Sequence, residues 1–112
     1  MAIELVFETA THDGWAVLSV GGEIDAYTSP RLRERLNELL DGGQHQVIVN
    51  LQRVEFMDST GLGVLVSCLK RAKEHQGDLA LVCTSPQILR VLAITGLDRV
   101  FQVRGAVEDV TS

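Results

Sequence analysis

The sequence predicts an α/β domain with a mixed, mainly parallel sheet of about five strands, an opening β-hairpin and helices packed on the sheet. Two observations carry this prediction. Segments with the two-residue period of strands alternate with segments of helical period, an order that favours right-handed crossovers and parallel strands. The first two predicted strands are separated only by a short turn, which favours an antiparallel pair. At 112 residues, the chain is long enough for one domain, which we expect to span residues 1–112.

The two strands of the hairpin are predicted at residues 3–8 and 15–20. Residues 3–8 alternate apolar and polar side chains, as a half-buried strand does. Residues 11–14 (Thr-His-Asp-Gly) have the composition of a turn. The second apolar run is expected to end at the glycine pair 21–22.

Ser29 and Pro30 mark the start of the first helix. Ser29 is a favourable N-cap, and Pro30 suits the first helical position because its missing N–H would have no partner there. The glycine pair 42–43 is expected to end this helix. Its apolar stripe consists of Leu32, Leu36, Leu39 and Leu40.

A central strand and a longer helix follow. Residues 47–51 are largely β-branched and apolar on both faces, as expected of a strand inside a parallel sheet. Apolar side chains then recur at helical spacing from about Ser59 to Gln76. Residues 79–83 form the next buried strand.

The last third of the chain repeats the pattern. Ser85 and Pro86 begin a short helix that Gly96 ends. Residues 100–103 are predicted to form the last strand. The acidic tail from about residue 105 is expected to be a short helix or disordered.

Composition and charge exclude several classes of protein. The net charge is −5 without a basic patch, so we expect no direct binding of nucleic acid. No uncharged run is longer than that of residues 59–69, which is too short to insert across a membrane, and no signal peptide is evident. Cys68 and Cys83 lie in apolar runs without metal-ligand spacing. They are expected to be buried, reduced thiols of a cytoplasmic protein without a metal site.

The segment from Val54 to Gly63 has the composition of a loop that leaves a buried strand and enters an apolar helix. Asp58, Ser59 and Thr60 can each cap a helix N-terminus. The unpaired N–H groups and partial positive charge of such a terminus favour an anion such as phosphate. The segment therefore predicts a helix start that can accommodate a phosphate group.

The cap of this helix is assigned to Asp58. With Asp58 as N-cap, Met57 and Leu62 occupy the two positions of a hydrophobic staple. Ser59 is then the first helical residue, and its hydroxyl is free to point outward. Thr60 is expected to face inward, although it could compete as a second phosphate acceptor.

Two glycines in the first turns of this helix need a reason. Glycine in a helix interior is destabilising by roughly 0.5–1 kcal/mol relative to alanine. Gly61 and Gly63 could allow close packing of the helix start on the sheet. They could equally allow the close approach of a partner's backbone or of a nucleotide, and the residues alone favour neither reason.

An enzyme is the least favoured class. Asp25, Asp58 and Ser59 are expected to gather at one end of the sheet, where loops after strands commonly form sites. A serine nucleophile needs a base, usually histidine. No histidine is placed to serve Ser59, and the sequence has no P-loop or Rossmann glycine pattern. The histidines are His12, His45 and His75.

These motifs, in this order, resemble the STAS domain of anti-sigma-factor antagonists (anti-anti-sigma factors). The resemblance covers nearly the whole chain, and its specific part is Asp58-Ser59-Thr60-Gly61-Leu62-Gly63. Asn50 departs from the aspartate of many relatives, and the final helix would be short or incomplete. The other matching segments are Gly22-Glu23-Ile24-Asp25 with Ser29-Pro30, residues 47–51, Val54-x-Phe56-Met57 and residues 95–101.

The resemblance implies a phosphorylation switch. The unphosphorylated protein would bind an anti-sigma factor that is also a serine kinase, and would thereby release a sigma factor to activate transcription. The kinase would phosphorylate Ser59, and a metal-dependent serine phosphatase would restore the active form. ATP and Mg²⁺ would belong to the kinase, and this chain would need no cofactor of its own.

The resemblance also implies which residues bind the partner. Asp25 and Asp58 match the acidic residues that surround the serine in the family. The expected partner-binding set is Asp25, Asp58, Ser59, Thr60, Gly61, Leu62 and Gly63. The alternative function is that of an accessory STAS subunit in a membrane transport or stress-sensing complex. The oligomeric state, monomer or weak dimer, stays open.

Overall fold

A computed structural model describes residues 4–111, and its centre is a five-stranded mixed sheet. The strands lie side by side in chain order, the first pair antiparallel and the other three pairs parallel. This confirms the predicted fold class. The strands are β1 (Val6–His12), β2 (Trp15–Ile24), β3 (Gln46–Met57), β4 (Asp78–Val82) and β5 (Gln102–Arg104).

Helices cover both faces of the sheet, unequally. Three helices bury their apolar stripes with one face in the larger core cluster, while the short C-terminal helix packs Val110 against the other face. The tail is therefore a short helix, one of the two predicted outcomes. The helices are α1 (Ser29–Asp41), α2 (Ser59–Glu74), α3 (Pro86–Ile94) and α4 (Val107–Thr111), with a 3₁₀ turn at Leu97–Arg99.

The opening hairpin is confirmed, but β1 starts later than predicted. Its connection is only Asp13 and Gly14, and both have positive φ angles, 49° and 84°. Two positive φ angles match the twist of the flanking strands, so β1 continues to His12 instead of ending at Glu8. Ile3 of the predicted strand lies outside the described residues.

Gly21 and Gly22 do not end β2, contrary to the prediction. They pair with Arg53 and Val54 of β3, and β2 runs on to Ile24. Gly22 has a φ of +113°, a conformation that side chains rarely adopt, so this glycine bends the strand without breaking it. The glycine pair is thus a strand irregularity and not a terminator.

The third strand is more than twice as long as the predicted 47–51, because the segment 54–57 is strand and not loop. Between the pairs Ser19–Asn50 and Gly21–Arg53, β3 advances three residues while β2 advances two. One extra residue also enters β3 at Glu55. These are β-bulges, which lengthen one strand relative to its neighbour and turn side chains outward.

The N-cap position of α1 is Thr28 and not Ser29. The Thr28 hydroxyl donates to the Glu23 carbonyl at 2.7 Å and accepts from the Asp25 N–H at 2.9 Å. These bonds hold the loop before the helix, and Ser29 is buried as the first helical residue. The other Ser-Pro start is as predicted, with Ser85 at the N-cap position of α3.

The last strand is displaced from residues 100–103 to Gln102–Arg104. The Val100 N–H and the Phe101 N–H both donate to the Leu97 carbonyl, so these residues continue the 3₁₀ turn. Cys68 and Cys83 are buried and unpaired, as predicted. Among the described residues, no helix is long and apolar enough to cross a membrane.

Candidate functional site

The predicted site residues meet where β2 and β3 end. The last pair of the parallel ladder is Ile24 with Met57, and the next N–H, that of Asp58, donates to the Ile24 carbonyl at 3.1 Å. Asp25 and Asp58 each follow one member of this pair. The structure therefore brings both aspartates and the start of α2 together at one end of the sheet, as predicted.

Asp58 is the N-cap of α2, as the staple pattern predicted. Its backbone is extended (φ −104°, ψ −172°), and its Oδ1 accepts from the Thr60 N–H at 2.9 Å. The carboxylate thus satisfies one of the first N–H groups of the helix, and its charge lies at the positive end of the helix dipole. Met57 and Leu62, the two staple residues, are both buried in the same core cluster.

Thr60 is exposed, which corrects the prediction that it faces inward. Its hydroxyl donates to the same Asp58 Oδ1 that its own N–H binds. Thr60 is the second helical residue, and there a hydroxyl can reach the capping carboxylate only by staying at the surface. Thr60 is therefore part of the cap.

Ser59 is exposed on the first turn of α2. The capping bond of Asp58 goes to Thr60, so the fold does not need the Ser59 hydroxyl as a cap. A phosphate group on this oxygen would lie beside the N-terminal N–H groups of a 16-residue helix. The geometry leaves the Ser59 hydroxyl accessible and without a role in the cap.

Gly61 is required by packing. A Cβ at this position would lie 2.6 Å from Ile24 Cγ2 and 2.9 Å from Met57 Cγ. The start of α2 therefore rests directly on the last pair of the β2–β3 ladder. Gly61 and Leu62 belong to the predicted partner-binding set, but both are buried. They support the surface around Ser59 by packing beneath it.

Gly63 is different, because it is exposed and a Cβ there would meet nothing within 4 Å. No packing contact accounts for a glycine at this helical position. The two explanations that the sequence left open therefore separate: packing accounts for Gly61, while Gly63 leaves an open surface beside Ser59.

Asp25 lies at the predicted end of the sheet, with its carboxylate turned into its own loop. Oδ1 accepts from the N–H groups of Tyr27 and Thr28, each at 2.9 Å, and lies 3.2 Å from the Thr28 hydroxyl oxygen, whose proton goes to the Glu23 carbonyl. The Thr28 N–H is the main cause that lowers the pKa of Asp25 below its ordinary value of 3.8. Asp25 thus fixes the shape of the loop beside Ser59 and keeps a negative charge there.

Two exposed side chains at this end were missed by the sequence analysis. Tyr27 is 75% exposed and Phe56 is 40% exposed. Phe56 lay in the segment predicted as a loop, and its outward position depends on the bulge at Glu55. In the sequence, each aromatic residue lies two positions from a predicted site aspartate: Tyr27 from Asp25 and Phe56 from Asp58.

The histidines do not approach Ser59. His45 precedes β3 and His75 follows α2, and their rings stack 4.2 Å apart at the opposite end of the sheet. Within residues 4–111, no three His, Cys, Asp or Glu side chains are grouped so that they could hold a metal ion. In the part of the chain that the structure describes, no histidine lies at the end of the sheet that carries the exposed Ser59 hydroxyl.

Comparison with known proteins identifies the family. The model of the STAS domain matches residues 6–110, almost the whole chain. The chain belongs to the STAS domain family. The fold is thus that of STAS domains, and the matched range includes Ser59.

Named relatives and solved structures agree with this assignment. A Staphylococcus epidermidis protein named anti-sigma-B factor antagonist is 42% identical over 106 residues, covering 95% of this chain and 98% of its own. The crystal structure of an anti-sigma factor antagonist from Mycobacterium paratuberculosis matches with a TM-score of 0.86 at 30% identity, covering 94% of this chain and 89% of that one.

A more distant structural likeness concerns SpoIIAA, named a Bacillus cell fate determinant. Its phosphorylated form matches with a TM-score of 0.71 at 22% identity, covering 94% of this chain and 96% of that one. Its unphosphorylated form also gives 0.71 at 22% identity, covering 93% and 92%. At this identity, the likeness establishes the shared fold.

The two glycines at the start of α2 give a paired stability prediction. Gly61→Ala should lower the free energy of unfolding by about 1–2 kcal/mol, because overpacking against Ile24 and Met57 exceeds the gain in helix propensity. Gly63→Ala should raise it by about 0.5–1 kcal/mol, because the site has room for the methyl group. Urea unfolding of both variants beside the parent checks this, and equal effects would contradict it.

The Asp25 loop gives a prediction about pH. Because the folded-state pKa lies below 3.8, the carboxylate adds stability above pH 3.8 and loses that contribution as the pH falls through the folded-state pKa. Asp25→Asn should therefore be less stable than the parent at neutral pH, and the gap should narrow below pH 3.8. Urea unfolding at a series of pH values measures the gap, and a gap independent of pH would refute the assignment.

Proposed function

We propose that this protein is an anti-sigma-factor antagonist and that phosphorylation of Ser59 abolishes its binding to the anti-sigma factor. The observation that carries the proposal is the exposed Ser59 hydroxyl on the first turn of α2, beside a cap that Asp58 and Thr60 complete without it. The name of the 42% identical relative, which covers 95% of the chain, supports the same function.

The unphosphorylated protein binds an anti-sigma factor that is also a serine kinase, and this binding releases a sigma factor to activate transcription. Asp25, Asp58, Thr60 and Gly63 lie around Ser59 and form the contact surface with the partner. Gly61 and Leu62 contribute by seating α2 on the sheet. The protein is the substrate of the kinase, which supplies ATP and Mg²⁺, and it performs no catalysis of its own.

Phosphorylation changes the surface and leaves the fold in place. A phosphoserine adds about −1.5 to −2 charges at neutral pH. At the N-terminus of α2, the helix dipole and unpaired N–H groups tolerate that charge. A partner docked against a neutral Ser59 meets both new bulk and new charge, so the complex dissociates. A serine phosphatase then removes the phosphate and restores the active form.

SpoIIAA, which shares this fold, has been solved in a phosphorylated and an unphosphorylated form, and each matches this chain with a TM-score of 0.71. A phosphorylated state of this fold therefore exists, which supports the proposal. In the proposed mechanism, the phosphate group acts through its charge at the docking surface.

Phosphorylation by a serine kinase tests the proposal. The protein is incubated with ATP, Mg²⁺ and each histidine-kinase-like ATPase encoded in its source genome, and phosphate uptake is measured by intact mass. We expect one kinase to add a single phosphate group to the parent and none to Ser59→Ala. Ser59→Ala should still bind that kinase, and Ser59→Glu should bind at least about tenfold more weakly, the effect of losing roughly 1.4 kcal/mol.

Matched controls lie on the same helix. Ser67→Ala removes another exposed hydroxyl of α2 and should be phosphorylated like the parent. Thr60→Ala tests whether the neighbouring hydroxyl is the acceptor: it should still receive one phosphate group, although more slowly than the parent, because Thr60 belongs to the contact surface and the cap. Phosphate uptake by Ser59→Ala would show that the acceptor is wrong. Binding of no kinase by the unmodified parent would instead favour an accessory subunit of a transport or stress-sensing complex.

A further inference from the structure

Two large apolar side chains are exposed at the same end of the sheet as Ser59. Phe56 lies on β3 opposite Glu23, one pair before the last pair, Ile24 with Met57. Tyr27 lies in the loop after β2, two residues beyond Asp25. Both aromatic residues therefore lie near the ends of β2 and β3, the end of the sheet at which α2 begins.

The backbone holds both aromatic residues in exposed positions. The Tyr27 N–H donates to Asp25 Oδ1, and the same loop is fixed by the Thr28 hydroxyl. Phe56 follows Glu55, the extra residue of the β3 bulge, so that Glu55 and Phe56 are both exposed between the buried Val54 and Met57. Bulges next to functional sites commonly redirect a side chain in this way.

The charge near the two aromatic residues is mainly negative. Residues 21–30 and 54–69 contain four acidic residues and no lysine or arginine. Arg31 and Arg53 directly adjoin these segments, and they pair with Glu34 and Glu8. The two segments that carry the aromatic residues and Ser59 are therefore acidic. The four acidic residues are Glu23, Asp25, Glu55 and Asp58.

We propose that Tyr27 and Phe56 are the anchoring residues of the surface that docks the anti-sigma kinase. This inference rests on the proposed function and specifies the partner's chemistry. The docking face of the kinase carries arginine or lysine side chains around an apolar pocket that receives the two rings. Aromatic anchors of this kind contribute a large share of interface energies, and a complementary charged rim raises the association rate.

The basic rim of the partner is compatible with release by phosphate. During phosphoryl transfer, Ser59 faces the nucleotide phosphates bound to the kinase. The arginine or lysine side chains of the kinase that are complementary to the four carboxylates therefore surround Ser59 and do not contact it directly. A phosphate group on Ser59 then meets another negative group at close range. Attraction at the rim and repulsion at the centre are therefore separate features of one interface.

Alanine variants of the two aromatic residues test the inference. They are made in the Ser59→Ala background, so that binding is measured without turnover, and the probe is the same panel of histidine-kinase-like ATPases. Phe56→Ala and Tyr27→Ala should each weaken binding at least about tenfold, as expected of anchor residues. Both side chains are exposed, so circular dichroism and the unfolding midpoint should change little.

Ile94→Ala is the matched control, because Ile94 is 77% exposed. It ends α3, which begins after β4 and returns toward the opposite end of the sheet. This variant should bind like the parent. Affinity of the parent should also fall several-fold when the salt concentration rises from about 0.1 M to 0.5 M, because exposed charge pairs are screened.

The outcomes separate the two proposals. If the parent binds a kinase and both aromatic variants bind it equally well, the anchor assignment is overturned while the proposed function stands. If the affinity does not fall with salt, the basic partner face is wrong. If the parent binds no member of the panel, the proposed function fails, and the inference that rests on it fails with it.

Discussion

The parallel pairing of β2 with β3, carried to its last residues, is the interaction on which the site depends. The Asp58 N–H extends the ladder by donating to the Ile24 carbonyl. Gly61 then lets α2 rest on Ile24 and Met57, because a Cβ there would lie 2.6 Å from Ile24 Cγ2 and would force the packing to shift. Without this contact, the start of α2 would have no fixed position relative to the Asp25 loop. The surface around Ser59 is thus defined by backbone pairing beneath it, and its own side chains add charge and shape.

Asp58, Ser59 and Thr60 are consecutive but have different structural roles. Asp58 caps the helix, Thr60 supports the cap, and Ser59 lies between them without a duty in the fold. A modification of a capping residue would disturb the helix, since a lost cap costs about 1 kcal/mol. No such cap is lost at Ser59, because Asp58 and Thr60 form the cap without its hydroxyl. The proposed phosphorylation would therefore change the surface and spare the cap.

Local sequence patterns predicted most of the helices and strands. The features that they did not predict depend on pairing and packing between segments that are distant in the sequence. The fold class, the hairpin, the three larger helices and the Asp58 cap follow from hydrophobic period, turn length and the staple at Met57 and Leu62. The length of β3 could not be read in this way, because each bulge depends on which residue of β2 faces it. The outward position of Phe56 follows from that register. Gly61 and Gly63 are alike in the sequence, and only the packing of α2 distinguishes them.

The hairpin turn has a practical consequence. β2 runs from the turn toward Ser59, and its ten residues span about 33 Å at 3.3 Å per residue. Asp13 and Gly14 are exposed, and a Cβ at Gly14 meets nothing within 4 Å. A loop tip of this kind tolerates insertion. A fluorescent reporter or a tether to a solid support can be attached there, at the far end of the molecule, and would leave the end that carries Ser59 facing solution.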